Sequence, residues 1–188
     1  MFRIFKLLTS VLIGCTFALM SFAEGTSIDF NNGIVWKNTG DLYWEIGEGR
    51  TNSRNTGPRY GASLGSDKYA YMETSERNDD YYGAYYPRIN AELTSKIFQV
   101  QPRTLFTLKY YMYGEDTGEL AIQIQSEGVY ETIWSRSGEQ QDTDIRPWRL
   151  AILQLDKYAG ERVRIRIVAT AAGGHRGDIA IDEIKINK

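Results

Sequence analysis

An all-β antiparallel sandwich is the fold this 188-residue chain predicts, and three observations predict it. Several segments alternate apolar and polar residues with a period of two, as half-buried strands do. Those segments are short and closely spaced, with 18 glycines to punctuate them. No segment carries a convincing helical period, which leaves sheet packed on sheet as the way to bury the apolar faces.

In chain order, the first residues have the form of an export signal. Arg3 and Lys6 make a basic start, Leu7 to Met20 is apolar but too short to span a bilayer, and Ser21-Phe22-Ala23 is a small-x-small cleavage site. A mature chain is then expected to begin at Glu24, so that residues 1–23 are signal and 24–188 are one domain. A rival reading takes Leu12-Ile13-Gly14-Cys15 as a lipobox, with a lipoprotein anchored at Cys15. Thr26 to Asn31 predicts a first strand with Ile28 and Phe30 on one side, and Asn32-Gly33 a turn. Trp36 to Trp44 is expected as a loop with large anchors. Gly47 to Gly65 is long, polar and rich in Gly, Asn, Ser and Arg, and is expected to run over the surface. Tyr69 to Glu73 is a strand, Glu76 to Tyr86 a charged, tyrosine-rich loop, and Ile89 to Leu93 another short apolar piece.

The second half is more regular. Phe106, Leu108, Tyr110 and Met112 share one face of a strand over Leu105 to Tyr113. Leu120, Ile122 and Ile124 alternate with Ala121, Gln123 and Gln125. Tyr130 to Trp134 can fold back as a hairpin over Ser126-Glu127-Gly128. Trp148 to Leu155 follows. Val163, Ile165 and Ile167 alternate with Arg162, Arg164 and Arg166, the strictest in/out pattern in the chain. Gly177 to Asn187 forms the last strand and is expected to close the sheet. Its inward side shifts from Ile179 and Ile181 to Ile184 and Ile186. A one-residue slip flips every side chain, so a bulge near Asp182-Glu183 is predicted.

Composition narrows the function. Cys15 is the one cysteine, so a chain cleaved after Ala23 has none and depends on its core. Without Arg3 and Lys6, Lys+Arg falls from 22 to 20 against 24 Asp+Glu, and the net charge moves from −2 to −4. That disfavours nucleic acid as a partner. No second apolar stretch reaches membrane-spanning length, so no transmembrane span is expected in the mature chain. There is no Asn-x-Ser/Thr sequon.

Several blocks line up, in order, with one family. They are Asp29-Phe30-Asn31-Asn32-Gly33; Thr56-Gly57-Pro58 with Gly65 and Tyr69-Ala70-Tyr71-Met72-Glu73-Thr74-Ser75; and Leu108-Lys109-Tyr110-Tyr111-Met112-Tyr113-Gly114 with Gly118-Glu119-Leu120. Ile133-Trp134-Ser135, Gly138-Glu139-Gln140 and Trp148 follow, and then Gly177 to Ile184. The chain resembles a MAM domain, the module of meprins, neuropilins and receptor tyrosine phosphatases. That resemblance implies a jelly-roll β-sandwich of galactose-binding-like type which binds other proteins and has no catalytic site. The family's cysteines are missing: Leu105 stands where one is usual, and a buried leucine there is expected to replace a disulfide by packing. The cysteine-poor form with its short signal suggests a bacterial member. Some members hold calcium or sodium near the first and last strands. The resemblance places Asp182 and Asn31 at such a site, with Asn31 in place of a glutamate and Gly61 in place of an aspartate. Calcium is therefore a possible ligand and no cofactor is required.

Other features are weighed against plainer readings. Gly61-Ala62-Ser63-Leu64-Gly65 spells G-x-S-x-G, but a nucleophile elbow requires a strand before it and a helix after it. His175 is the chain's one histidine. No hydrolase is expected. Arg176-Gly177-Asp178 is an R-G-D tripeptide, read as part of the last-strand block. Asp79-Asp80, Glu115-Asp116 and Asp142/Asp144 are read as solvated surface rather than glycosidase carboxylates. Tyr81, Tyr82, Tyr85 and Tyr86 form a candidate recognition surface, since tyrosine gives contact area at low entropic cost. The expected function is an exported adhesion or protein-interaction module, secreted, periplasmic or on the cell surface, that binds an extracellular or cell-surface protein. The alternative is a carbohydrate-binding module whose ligand is a glycan.

Overall fold

A computed structural model describes residues 25–62, 67–75 and 89–187. Among the described residues it contains twelve strands, and a short 3-10 turn at Asp156–Tyr158. In chain order the strands are β1 (Thr26–Ile28), β2 (Lys37–Gly40), β3 (Glu45–Glu48), β4 (Lys68–Met72), β5 (Asn90–Thr94) and β6 (Phe98–Gln99). They continue as β7 (Leu105–Met112), β8 (Glu119–Ser126), β9 (Val129–Ser137), β10 (Arg149–Gln154), β11 (Arg162–Thr170) and β12 (Ile179–Asn187). Two antiparallel sheets result. Sheet A runs β10-β7-β12-β4-β3, with β1 also on β12; sheet B runs β2-β5-β11-β8-β9, with β6 also on β11.

The period-two pattern places the core between these sheets. Phe106, Leu108, Tyr110 and Met112 of β7 and Ile179 and Ile181 of β12 meet Leu120, Ile122 and Ile124 of β8 and Val163, Ile165 and Ile167 of β11, all buried. Trp134 on β9 reaches across to Tyr110, with ring centroids 5.1 Å apart. The predicted hairpin forms: Glu127 and Gly128 take positive φ, 51° and 85°, a backbone that turns β8 into β9 with the twist the strands need.

The predicted bulge is present. Asp182 faces Lys109 but Lys185 faces Thr107, so β12 carries one extra residue there. Glu183 takes a left-handed backbone, φ 45°. Ile184 and Ile186 are thereby returned to the core that Ile179 and Ile181 occupy. This strand does not lie at a sheet edge. It pairs with β7 on one side and with β4 and β1 on the other, at the centre of sheet A.

Other expectations are corrected. Trp36 to Trp44 is not wholly a loop: Lys37–Gly40 pairs with β5. The Asn38 amide then holds the backbone of Trp44, donating to its carbonyl at 2.7 Å and accepting from its N–H at 3.0 Å, and Trp44 is buried. Asn38 and Gly40 are poor strand formers, which hid this element. The start of Gly47 to Gly65 is strand β3, and β6 had no sequence signal at two residues. Leu105 is half-buried and lies outside the core cluster, so packing there does not stand in for a disulfide.

Candidate functional site

The outer face of sheet A is not left to solvent. Tyr69 and Tyr71 on β4, Tyr111 on β7 and Ala180 on β12 point outward and form a second buried cluster, with Tyr113 and Trp148 packed on it. The segment after β3 lies across them as a strap, and backbone bonds fix it. Gly57 N–H donates to Tyr113 O at 3.0 Å and Arg59 N–H to Asp144 O at 2.8 Å. The Tyr69 hydroxyl donates to Gly49 O at 2.7 Å and the Trp148 indole to Tyr60 O at 3.0 Å. The Thr56 hydroxyl donates to Tyr113 O at 3.0 Å and accepts the Asp178 N–H at 2.8 Å. Burial pushes the Tyr111 hydroxyl up to about 12. It remains a donor, to Thr143 O at 2.6 Å, and it accepts the Arg146 N–H at 2.8 Å.

At the rim of this layer is an open cleft of about 560 Å³, lined by Glu139, Gln140, Gln141, Asp142, Arg146 and Trp148 among others. Its walls are held in place. Trp148 meets Tyr69 and Tyr111 edge-on, at 5.8 and 5.4 Å. Arg146 grips Asp142 with two bonds, 2.6 and 3.0 Å, and Arg149 donates to Gln140 O at 2.7 Å. The Gln141 side chain is buried; it accepts from Met112 N at 2.9 Å and donates to Tyr110 O at 3.3 Å, pinning the segment to β7. One aromatic ring flanked by fixed charged and amide groups binds polar molecules that carry apolar faces.

Three carboxylates are buried under the strap: Glu73, Asp178 and Asp182. Asp182 accepts from Ala62 N at 2.9 Å and Glu183 N at 2.7 Å. Burial nonetheless raises it to about 6; the two backbone bonds and Lys109 pull the other way. Asn31, its expected partner around calcium, is exposed and bonds to Asp29, two residues away. Asp182 has two N–H donors on its oxygens and an ammonium nearby, and Asn31 points its amide at Asp29. That set does not fit a calcium ion, which takes oxygens alone. Among the described residues no three of His, Cys, Asp and Glu converge as ligands. Asp178 is also raised, by burial first and then by the Glu73 carboxylate beside it.

The remaining sequence candidates sort as follows. Tyr81, Tyr82, Tyr85 and Tyr86 lie outside the described residues, as do Cys15, residues 1–23, Ser63 and Asp79-Asp80. Ala62, from the G-x-S-x-G match, gives its N–H to Asp182, and His175 is exposed. Asp178 is fully buried, so the R-G-D tripeptide presents no carboxylate to a partner. Glu115 pairs with Arg176 at 2.7 Å, Asp144 with Arg50 at 2.8 Å and Asp142 with Arg146 at 2.6 Å, so these acids serve as surface ion pairs. The sequence marks Trp148 as a block residue and carries no sign of the cleft around it. Residues 139–148 have no period, and only the fold brings them beside β7.

A protein-family model described as "MAM domain, meprin/A5/mu" matches residues 28–188. MAM domain-containing protein 2 of Mus musculus is 32% identical over 146 residues, covering 76% of this chain and 19% of that protein. Thyroid hormone-induced protein B of Xenopus laevis is 30% identical over 152 residues, covering 79% of this chain and 20% of that protein. The chain thus spans about a fifth of the length of the curated relatives it matches. Among solved structures, the K2 cleaved adhesin domain of Lys-gingipain superposes with a TM-score of 0.55 at 10% identity, over 87% of this chain and 98% of that one. A structure of promiscuous carbohydrate-binding modules of the β-sandwich superfamily gives 0.54 at 14% identity, over 86% of this chain and 61% of that one. TmCBM61, solved with beta-1,4-galactotriose, gives 0.51 at 13% identity, over 84% and 92%. At such identities the likeness concerns the fold, a β-sandwich of two antiparallel sheets. Among the described residues no helix is long and apolar enough to cross a membrane, which says nothing of β-barrels.

Proposed function

The chain belongs to the MAM domain family, and from that membership we propose that it is a non-catalytic recognition module whose Trp148 cleft takes a short glycan segment. The cleft's chemistry carries this reading: a sugar ring offers one apolar face for Trp148 and a rim of hydroxyls for Gln140, Asp142 and Arg146. Carbohydrate-binding modules with the same sandwich lend support by analogy of fold alone. A glycan array followed by calorimetry on the best hit tests it. Asp142→Ala and Arg146→Ala alter exposed groups, so each is expected to leave the melting temperature almost unchanged. Each should weaken binding at least about tenfold, the loss of one charge-assisted hydrogen bond. An array with no hit, or binding that both variants retain, overturns the reading.

A second reading is that the chain is an exported adhesion module for a cell-surface protein. It draws on edge strand β10, where Leu150 and Ile152 are 53% and 60% exposed near Ile145 at 61%. A pull-down that survives Arg146→Ala and fails in Leu150→Asp/Ile152→Asp favours this reading. Export is part of either proposal, with a mature start at Glu24 as the expectation. Intact mass of the secreted protein decides it, and an acylated mass beginning at Cys15 makes it a lipoprotein instead.

A further inference from the structure

Sheet B carries another open cleft, of about 470 Å³, where Val35, Trp36, Lys37, Lys96, Ile97 and Arg164 meet. It shares no residue with the Trp148 cleft. A break in the sheet creates it. β5 ends at Thr94, which faces Lys37 of β2, and the chain rejoins β11 at Phe98, opposite Val163. Lys96 and Ile97, between those points, are exposed. Ser95 fixes this excursion: its N–H donates to Ile165 O at 2.9 Å, and its hydroxyl accepts the Ile165 N–H at 2.9 Å and donates to Lys96 O at 2.8 Å. Trp36 is half-buried, packed against the core and lining the cleft. Among the described residues the cleft is lined by three cations, Lys37, Lys96 and Arg164, and by no carboxylate. None of the three has an ion pair or a side-chain hydrogen bond among the described residues. Arg166, next on the same face of β11, is by contrast held by Glu92 and Gln123.

We propose that this cleft binds an acidic saccharide, with its carboxylate or sulfate on Arg164, Lys37 and Lys96 and a ring face on Trp36. Like charges held close together repel, and an anion among them relieves that repulsion. The Arg164 guanidinium offers a planar fork that matches a carboxylate, and the two ammonium groups add point charges on flexible stems. Trp36, Val35 and Ile97 give apolar surface, which a sugar ring can cover and a bare inorganic anion cannot. The whole chain carries a net charge of −2. A densely charged polymer such as nucleic acid is repelled by that surface, whereas a sugar chain with one charge per ring engages the basic cleft alone. Occupation of the Trp148 cleft is no condition of this binding.

The test is titration calorimetry of the full chain with two probes, tetragalacturonate and a sulfated galactotetraose, beside the methyl ester of the first and the unsulfated form of the second. At least one acidic probe is expected to bind, and the one that binds identifies the anionic group. Its uncharged counterpart should bind at least about tenfold more weakly, and affinity should fall as sodium chloride is added. Lys37→Glu/Lys96→Glu reverses two exposed charges and should abolish binding. Arg164→Ala should weaken it at least about tenfold, the loss of one charge-assisted contact. Both variants should melt as the wild type does, which separates a lost site from a lost fold; should Arg164→Ala fail to fold, the lysine pair alone decides. No binding of either acidic probe up to roughly 10 mM, tenfold above a millimolar Kd, overturns the proposal. Binding that the charge-reversed variant keeps overturns it, and so does binding that Arg146→Ala abolishes instead, which places the sugar in the Trp148 cleft. Inorganic sulfate or acetate that binds as tightly as the saccharide leaves an ion site only, and overturns it too.

Discussion

The two outer faces of the sandwich are built from the same alternation and come out differently. On sheet B the outward residues of β11 and β8 are Arg164, Arg166, Gln123 and Gln125, which solvent can satisfy. On sheet A the outward residues of β4, β7 and β12 are Tyr69, Tyr71, Tyr111, Ala180 and Asp182, and a strap has to cover them. One sheet therefore has one buried face and the other has two. What lies on the second buried face of sheet A is where the unusual chemistry collects: three buried carboxylates, a layer of tyrosines and a cleft at the rim.

The largest effect is expected where the faces differ most. Tyr111→Ala on the covered face should cost about 3–5 kcal/mol, as much as emptying a core aromatic position, and Ile181→Ala between the sheets about 2–5 kcal/mol. Arg164→Ala, outward on sheet B, should stay within about 0.5 kcal/mol. Urea unfolding ranks the three. If Tyr111→Ala groups with Arg164→Ala, the strap is no cover and sheet A has one buried face like its partner.

The sequence shows sheet B's open face plainly, because Arg162 to Ile167 alternates without exception and water selects for that. Sheet A is legible as strands but not as a doubly covered sheet. Tyr69-Ala70-Tyr71-Met72 and Ile179-Ala180-Ile181 are apolar on both sides, which marks burial without naming the cover. The cover itself has no period. Its order comes from contacts far apart in the chain, Gly57 to Tyr113 and Arg59 to Asp144, which no local window contains. The bulge at Asp182-Glu183 was legible because the apolar parity shifts there. The register shift between β8 and β9 at Ile122/Gln123 was not. The sequence sets Asp182 at the bulge and, by resemblance, at a cation site, but does not show what meets its carboxylate. Its partner Ala62 lies in the unreadable strap, so geometry alone could supply it.

A middle-sized effect follows from Asp182 itself. Burial raises its folded pKa from 3.8 to about 6, with Ala62 N–H, Glu183 N–H and Lys109 opposing the rise and Glu183's charge adding to it. The folded chain thus holds this proton more tightly than the unfolded chain does. Stability from this group is present below about pH 4 and is lost as pH rises towards 6, by up to roughly 3 kcal/mol. Asp182→Asn has no proton to lose, so its unfolding free energy should change less than that of the wild type between those pH values, without added calcium. Parallel curves for the two proteins would mean that water reaches Asp182, and that the strap is open there.

The smallest effect tests the open face. Arg166 on β11 is the best-held side chain of sheet B's outer surface. Its guanidinium donates to Gln123 Oε1 at 2.9 and 2.7 Å and to Glu92 at 3.3 and 3.2 Å, and it lies 3.7 Å from the centre of the Tyr130 ring. Arg166→Lys keeps the charge but loses the planar fork and the stacking, which a compact ammonium cannot reproduce. The pair with Glu92 is partly exposed, 22% and 24%, so screening limits its worth. A loss of about 0.5–1.5 kcal/mol is expected, smaller still in high salt. A loss of 3 kcal/mol or more, on the order of the tyrosine deletion, would make the Arg166 network a packed layer in its own right. The two faces would then differ in polarity alone and not in burial.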